Sequence, residues 1–223
     1  ATGEITVSEL VDRYMNLKRD LSENTAEAME GHYYYDDIAV LLGTGLRVSE
    51  LYGLTKQDID FKTRCIYIDH QNARQMKIPI SSPFPRLPSG VRTIPMTDAV
   101  YLALKRVMKN RAVSKLERII DGYGDFIFLD KSGMTKVAMH LQNYIRGIQK
   151  KISRIYGNSF PKATPHVLRH TFCTNMQQGC IDVKSLQYLM RHSNVRRHVL
   201  IGYPHIIIEK RPLPTWWGAV FQV

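Results

Sequence analysis

Between residues 64 and 96 the apolar pattern of the chain changes period, and this change limits what the chain can fold into. On either side, apolar residues recur at helical spacing; inside the window they alternate. In residues 64–69, Cys65, Tyr67 and Asp69 stand on one face and Ile66 and Ile68 on the other, the pattern of a half-buried strand. Residues 76–80 and 91–96 read as two further short strands. The run SSPFPRLPSG between them holds three prolines and a glycine and reads as a loop, because proline cannot donate to a ladder. The expectation is a mainly α chain with three short strands.

The flanking helices follow from periodicity. Residues 5–19 place Val7, Leu10, Val11, Tyr14 and Leu17 on one side, with Ser8 able to cap the start. Residues 20–31 are polar and acidic and read as a linker. A helix is predicted over 33–42, broken by Gly43 and Gly45, and another over 47–54 with Leu46, Leu51 and Leu54 inward. Thr55 and Asp58 mark the turn after it. Helical spacing returns over 97–116, with Val100, Leu102, Leu104, Val107 and Met108 apolar, and over 137–156. Residues 126–129 form a short apolar run and 157–164 a loop. Pro165 suits a helix start, so helices are predicted over 166–178, 182–190 and 195–203. Tyr188, inside LQYLM, is assigned to the core. The tail RPLPTWWGAVFQV is proline-broken and then strongly apolar.

With 44% hydrophobic residues the 223-residue chain can bury a real core of one ordinary domain. Its formal net charge of +11 points to a polyanionic partner. Nucleic acid fits better than membrane, since no stretch approaches the ~20 apolar residues of a span. The first ten residues lack a basic region followed by an apolar run, so no signal peptide is expected. Cys65, Cys173 and Cys180 show no close pairing, which argues for a reducing compartment and against a disulfide framework.

The residues that carry chemistry lie far apart. Arg47 follows the turn Gly43-Thr-Gly-Leu46; His166 and Arg169 stand one helical turn apart in HVLRHTF; Tyr203 comes late. Two guanidiniums can each donate two hydrogen bonds to the non-bridging oxygens of a phosphodiester, whose transition state gathers charge there. A histidine beside them can donate to an oxygen or exchange a proton. His192 could supply another donor. Tyr203 would be the nucleophile, its weak phenol activated by these neighbours. Taken singly, each has a plainer reading: Arg47 a helix-start residue, Tyr203 a core tyrosine. His166 and His170 have the i,i+4 spacing of a zinc pair, but no glutamate lies between them and no third ligand is evident.

Together, GTGLRVSELYGL, TPHVLRHTFCTNM and SLQYLMRHSN resemble the signature boxes of the tyrosine recombinases, the phage integrase family, and most of all the integrases of conjugative transposons. The resemblance covers about residues 33–205. It implies a mainly α catalytic domain with a small three-stranded antiparallel sheet at one edge. It implies that a tyrosine attacks one DNA strand, giving a 3′-phosphotyrosyl link and a free 5′-hydroxyl that attacks the partner strand. Neither ATP, metal nor another cofactor is implied. Carried across, Arg47 and Arg169 are the clamp arginines, His166 the histidine of the H-x-x-R box, His192 the later histidine and Tyr203 the nucleophile. Glu50 is the acidic residue that orients the local helix.

The chain also departs from that pattern. The family's hairpin lysine, which protonates the departing 5′-oxygen, is replaced by Arg86, or its role falls to Lys77 on the preceding strand. Arginine, with a pKa above ~12, is a poor proton donor. Arg191 stands where glycine is usual before His192, and the spacing from His192 to Tyr203 is about a residue longer than usual. The expected organisation is therefore a helix and linker left from a core-binding domain over 1–31, the catalytic domain over 32–205, and a tail over 206–223 that either folds back on the same core or docks in trans. Expected partners are double-stranded DNA and further copies of the chain, as a dimer or tetramer on DNA. The expected location is the cytoplasm of a bacterium. Backbone contacts are expected from Arg74, Lys77, Arg86, Arg146, Lys150, Lys151, Arg196 and Arg197. The alternative is a DNA-binding relative impaired in catalysis.

Overall fold

A computed structural model describes residues 34–75, 78–83, 91–111, 119–156, 163–179 and 181–190. Helix α1 spans Tyr35–Thr44 and a single turn, α2, spans Val48–Leu51. A 3₁₀ turn, Lys56–Asp58, leads into five strands: β1 Ile59–Asp60, β2 Cys65–Ile68, β3 His70–Gln75, β4 Ile78–Pro83 and β5 Arg92–Pro95. Four helices' worth of chain then includes α3 Asp98–Asn110, α4 Ala138–Tyr156, α5 Pro165–Gln178 and α6 Val183–Met190. The mainly α class with a small three-stranded antiparallel sheet is as expected. Among the described residues no helix is long and apolar enough to cross a membrane.

The sheet has the order β1-β2-β5, with Ile66 opposite Ile59 on one side and Ile94 on the other. Its membership corrects the sequence reading. The third strand is the two-residue β1, not residues 76–80. Residues 78–80 of that run belong to β4, which pairs with β3 in a separate two-stranded ribbon. Ser81, Ser82 and Pro83, assigned to a loop, are part of that strand. Pro79 and Pro83 share one parity along β4. The donors they lack therefore fall on one edge, and the other edge keeps its ladder.

Helix ends also moved. Gly43 lies inside α1, and Gly45 alone ends it, at φ 64°. The left-handed conformation there costs a non-glycine residue ~1–2 kcal/mol. The turn after Arg47 stops at Leu51 rather than residue 54. Helix α3 ends at Asn110 rather than 116, because Arg111 turns extended and its Nε donates to the Phe126 carbonyl at 2.7 Å. Side chains at Thr97 and Thr164 cap α3 and α5, accepting from Val100 N and Val167 N, each at 3.3 Å. Pro165 occupies the first turn of α5 as expected.

Helix α1 packs against α3 and α5, and α6 against α5 and β5. The core gathers Val40, Leu41, Leu46, Leu51, Tyr52, Val100, Leu104, Leu141, Leu168 and Phe172. Leu102, one of the apolar residues of the helical pattern over 97–116, is 53% exposed. Within this core Lys136 pairs with both oxygens of Asp37 at 3.0–3.1 Å, and the Tyr52 hydroxyl donates to the same carboxylate at 2.9 Å. Tyr188 is not core: it is 54% exposed, and its hydroxyl accepts from the Thr93 N–H at 3.0 Å.

Candidate active site

The first box is shaped by the end of α1. The Gly45 N–H donates to the Leu41 carbonyl at 2.9 Å, and the chain leaves the helix through its left-handed turn. A Cβ at Gly45 would lie 2.7 Å from Cε1 and 2.9 Å from Cγ of Phe172, so only glycine lets α5 approach this closely. Leu46 drops into the core and Arg47 stands extended before α2. Glu50, buried, turns back on Arg47: its Oε2 accepts the Arg47 backbone N–H at 2.8 Å and its Oε1 accepts Nη1 at 3.1 Å. This fixes the arginine's backbone and guanidinium together, while 39% of the side chain stays exposed.

A second arginine holds the same carboxylate from the sheet. Arg92, the first residue of β5, donates from Nη2 to Oε2 at 2.7 Å and from Nη1 to Oε1 at 3.3 Å. Burial pushes the Glu50 carboxyl up, but Arg92 and Arg47 outweigh it and hold it below the usual carboxylate range. Arg169, also buried, reaches across from α5. Its Nη1 donates to the Gly45 carbonyl and its Nη2 to the Met190 carbonyl at the end of α6. Burial lowers its pKa to about 10, and repulsion from Arg47 and Arg92 adds to this while Glu50 opposes it. The guanidinium remains charged at neutral pH. Two boxes separated by more than a hundred residues are thus joined through the Gly45 carbonyl.

Of the expected site residues, Arg47 and Arg169 come together, close enough for Arg47 to lower and Glu50 to raise the proton affinity of Arg169. His166 lies one turn before Arg169 on α5 but on its exposed side, its ring edge-to-face with His170 at 4.8 Å between centroids. Arg86, Lys77, His192, Arg196, Arg197 and Tyr203 lie outside the described residues. Arg74 lies on β3. Arg146, Lys150 and Lys151 are exposed on α4 beside Arg154. Arg92 was missed by the sequence reading, although its position carried a signal. Ile94 and Met96 share its parity and are buried, so an arginine at 92 falls on the inner face of the strand. Three guanidiniums and one carboxylate leave a net positive, partly buried cluster suited to an oxyanion such as a phosphodiester.

The chain resembles known proteins in both sequence and shape. The pattern of the phage integrase family matches residues 16–206. The transposase from transposon Tn916 of Enterococcus faecalis is 44% identical over 161 residues, which is 72% of this chain and 40% of that protein. The tyrosine recombinase XerC of Bifidobacterium longum is 30% identical over 213 residues, 92% of this chain and 50% of that protein. The Tn1549 transposon integrase, solved in complex with circular intermediate DNA, superposes with a TM-score of 0.75 at 36% identity, covering 89% of this chain and 62% of that one. This chain thus spans half or less of the length of the two relatives compared by sequence. The matched span, with both arginine boxes inside it, makes this chain a member of the phage integrase family.

Proposed function

We propose that this chain is the DNA-cleaving part of a site-specific recombinase of a mobile element, acting on double-stranded DNA in a bacterial cytoplasm. The observation that carries the reading is the convergence of Arg47 and Arg169, held by Glu50 and the Gly45 carbonyl, into one cationic cluster. In this reading the two guanidiniums bind the non-bridging oxygens of the scissile phosphate and stabilise the charge that builds there. The Tyr203 oxygen attacks phosphorus, the bond to the 5′-oxygen breaks, and a 3′-phosphotyrosyl link forms. His166 and His192 donate to the phosphate or take the tyrosine proton; Arg86 or Lys77 supplies the proton that the 5′-oxygen gains. The free 5′-hydroxyl of the partner strand reverses these steps, and the covalent link conserves the bond energy for rejoining.

Residues 32–205 form the catalytic domain in this proposal, with residues 1–31 a helix and linker from a core-binding domain and residues 206–223 a tail docking in a neighbouring copy. The basic face of α4 is the best-supported backbone contact. Arg146, Lys150, Lys151 and Arg154 are all exposed there. Basic residues four apart rise ~6 Å along a helix, so several of them can meet one charged backbone at once. Arg74, Lys77, Arg196 and Arg197 are assigned to the same backbone. A duplex nicked beside the cleavage site tests the proposal. A covalent protein–DNA adduct that disappears in Tyr203→Phe is expected. Salt-sensitive binding with no adduct would instead make the chain a DNA-binding relative that has lost cleavage.

A further inference from the structure

We infer that Arg92 is a positioning residue of this site: by neutralising Glu50 it leaves the charge of Arg47 free for phosphate while Glu50 still aims Arg47. The inference rests on the cleavage reading above. Glu50 makes two demands on one carboxylate. It accepts the backbone N–H and Nη1 of Arg47, and it meets both terminal nitrogens of Arg92. The Arg92 side chain is 1% exposed and that of Glu50 0%, whereas the Arg47 side chain is 39% exposed. The pair shielded from water is therefore Arg92–Glu50, and the cation that faces outward is Arg47.

Were Arg92 uncharged, Glu50 would have Arg47 as its ion-pair partner. One of the two clamp charges would then be spent inside the protein. With Arg92 present, the inner pair is neutral and Arg47 and Arg169 together offer two positive charges to an anion. Stability alone gives a poor account of Arg92. A buried ion pair is often no better than an apolar pair of similar volume. Moreover, among the described residues Arg92 Nε is buried without a hydrogen-bond partner, an orphan donor on a strand whose neighbours on that face are Ile94 and Met96. Arg92 also lies close enough to Arg169 to lower its proton affinity, which places it electrostatically within the cluster. An arginine kept there at such cost fits a role in ordering charge.

The test is a double-variant cycle on the full chain. Readouts are adduct formation on the nicked duplex and the slope of log affinity against log salt on an intact duplex. Arg92→Met should slow adduct formation about 10²-fold, the scale of losing one preorganised donor. It should also flatten the salt slope by about 0.9, one phosphate's worth. Adding Glu50→Gln removes the uncompensated carboxylate while its amide oxygen still accepts from Arg47, so both readouts should return to within about threefold and ~0.3 of wild type. Losses that persist or add in the double variant would overturn the inference, as would Arg92→Met behaving like wild type while folded by thermal melt. If Arg92→Met does not fold, the same cycle with Arg92→Gln carries the same expectations. Absence of adduct in the wild-type chain refutes the cleavage reading alone; the salt slopes still decide the role of Arg92.

Discussion

Replacing Gly45 by alanine is a stringent perturbation of the site, because two independent costs fall on one methyl group. Gly45 sits at φ 64°, where an L-residue loses roughly 1–2 kcal/mol. The new Cβ would also stand 2.7 Å from Cε1 and 2.9 Å from Cγ of Phe172, a ring that is 2% exposed and packed on every side. Forcing extra volume into such a place costs about 1–3 kcal/mol. The two together give about 2–5 kcal/mol, or a fall in melting temperature of about 2–4 °C per kcal/mol for a domain of this size. The carbonyl of the same residue accepts from Arg169, so any shift that relieves the clash moves the arginine clamp as well. Urea unfolding followed by tyrosine fluorescence and circular dichroism measures the first effect, and adduct formation per folded molecule the second. Phe172→Leu in the Gly45→Ala background should recover the packing cost but not the conformational one. A Gly45→Ala chain less than about 1 kcal/mol destabilised, with unchanged adduct formation, would refute the reasoning at both steps.

Gly147 supplies the opposite case: a Cβ there meets nothing within 4 Å, so Gly147→Ala on the exposed face of α4 should raise stability by up to about 1 kcal/mol in the same urea assay. Glu50, whose folded pKa is depressed, contributes stability that is present above its ordinary value of 4.5 and lost as pH falls through the depressed value. Glu50→Gln should accordingly flatten the acid side of a stability–pH curve while costing about 3–5 kcal/mol at neutral pH, because Arg92 is left buried without a counter-charge. Tyr188→Phe removes the acceptor for the Thr93 N–H and should cost about 0.5–1.5 kcal/mol. Amide exchange at Thr93 should quicken while exchange at Ile94 stays slow. Arg146→Ala and Lys150→Ala should each flatten the salt slope of DNA binding by about 0.9 without changing adduct formation at saturating DNA.

Much of the fold was legible because the local pattern and the tertiary demand agreed. Ile66 and Ile68 alternate with Tyr67, and the sheet buries the first two and exposes the third. Pro165 announces the start of α5 in sequence and stands in its first turn, where the structure adds the Thr164 cap. The misreadings arose where a neighbour distant in sequence decided. Strand β1 has two residues, too few for any period, and exists because β2 pairs with it. Strand β4 runs on through Pro83, which read as part of a loop, yet it shares its parity with Pro79 and a two-stranded ribbon tolerates both. Tyr188 has the spacing of a core residue, but its hydroxyl finds a strand amide at the surface. In the site, Arg47 and Arg169 could be read from their boxes. Arg92 could not, because the carboxylate that gives it meaning lies 42 residues away. Only the parity of Ile94 and Met96 hinted that a charge there is buried.

The bond from Arg169 to the Gly45 carbonyl spans a sequence separation of 124 residues. A ribosome adding ~5–20 residues per second needs about 6–25 s to make that stretch. During this interval the emerging chain carries Arg47 but has no partner arginine to complete a phosphate clamp. A chain released early by truncation would lack the clamp for the same reason. The wiring of one guanidinium to one distant carbonyl thus ties the pairing of the two arginines to synthesis: Arg47 and Arg169 stand together only once the chain has been made and folded through α5.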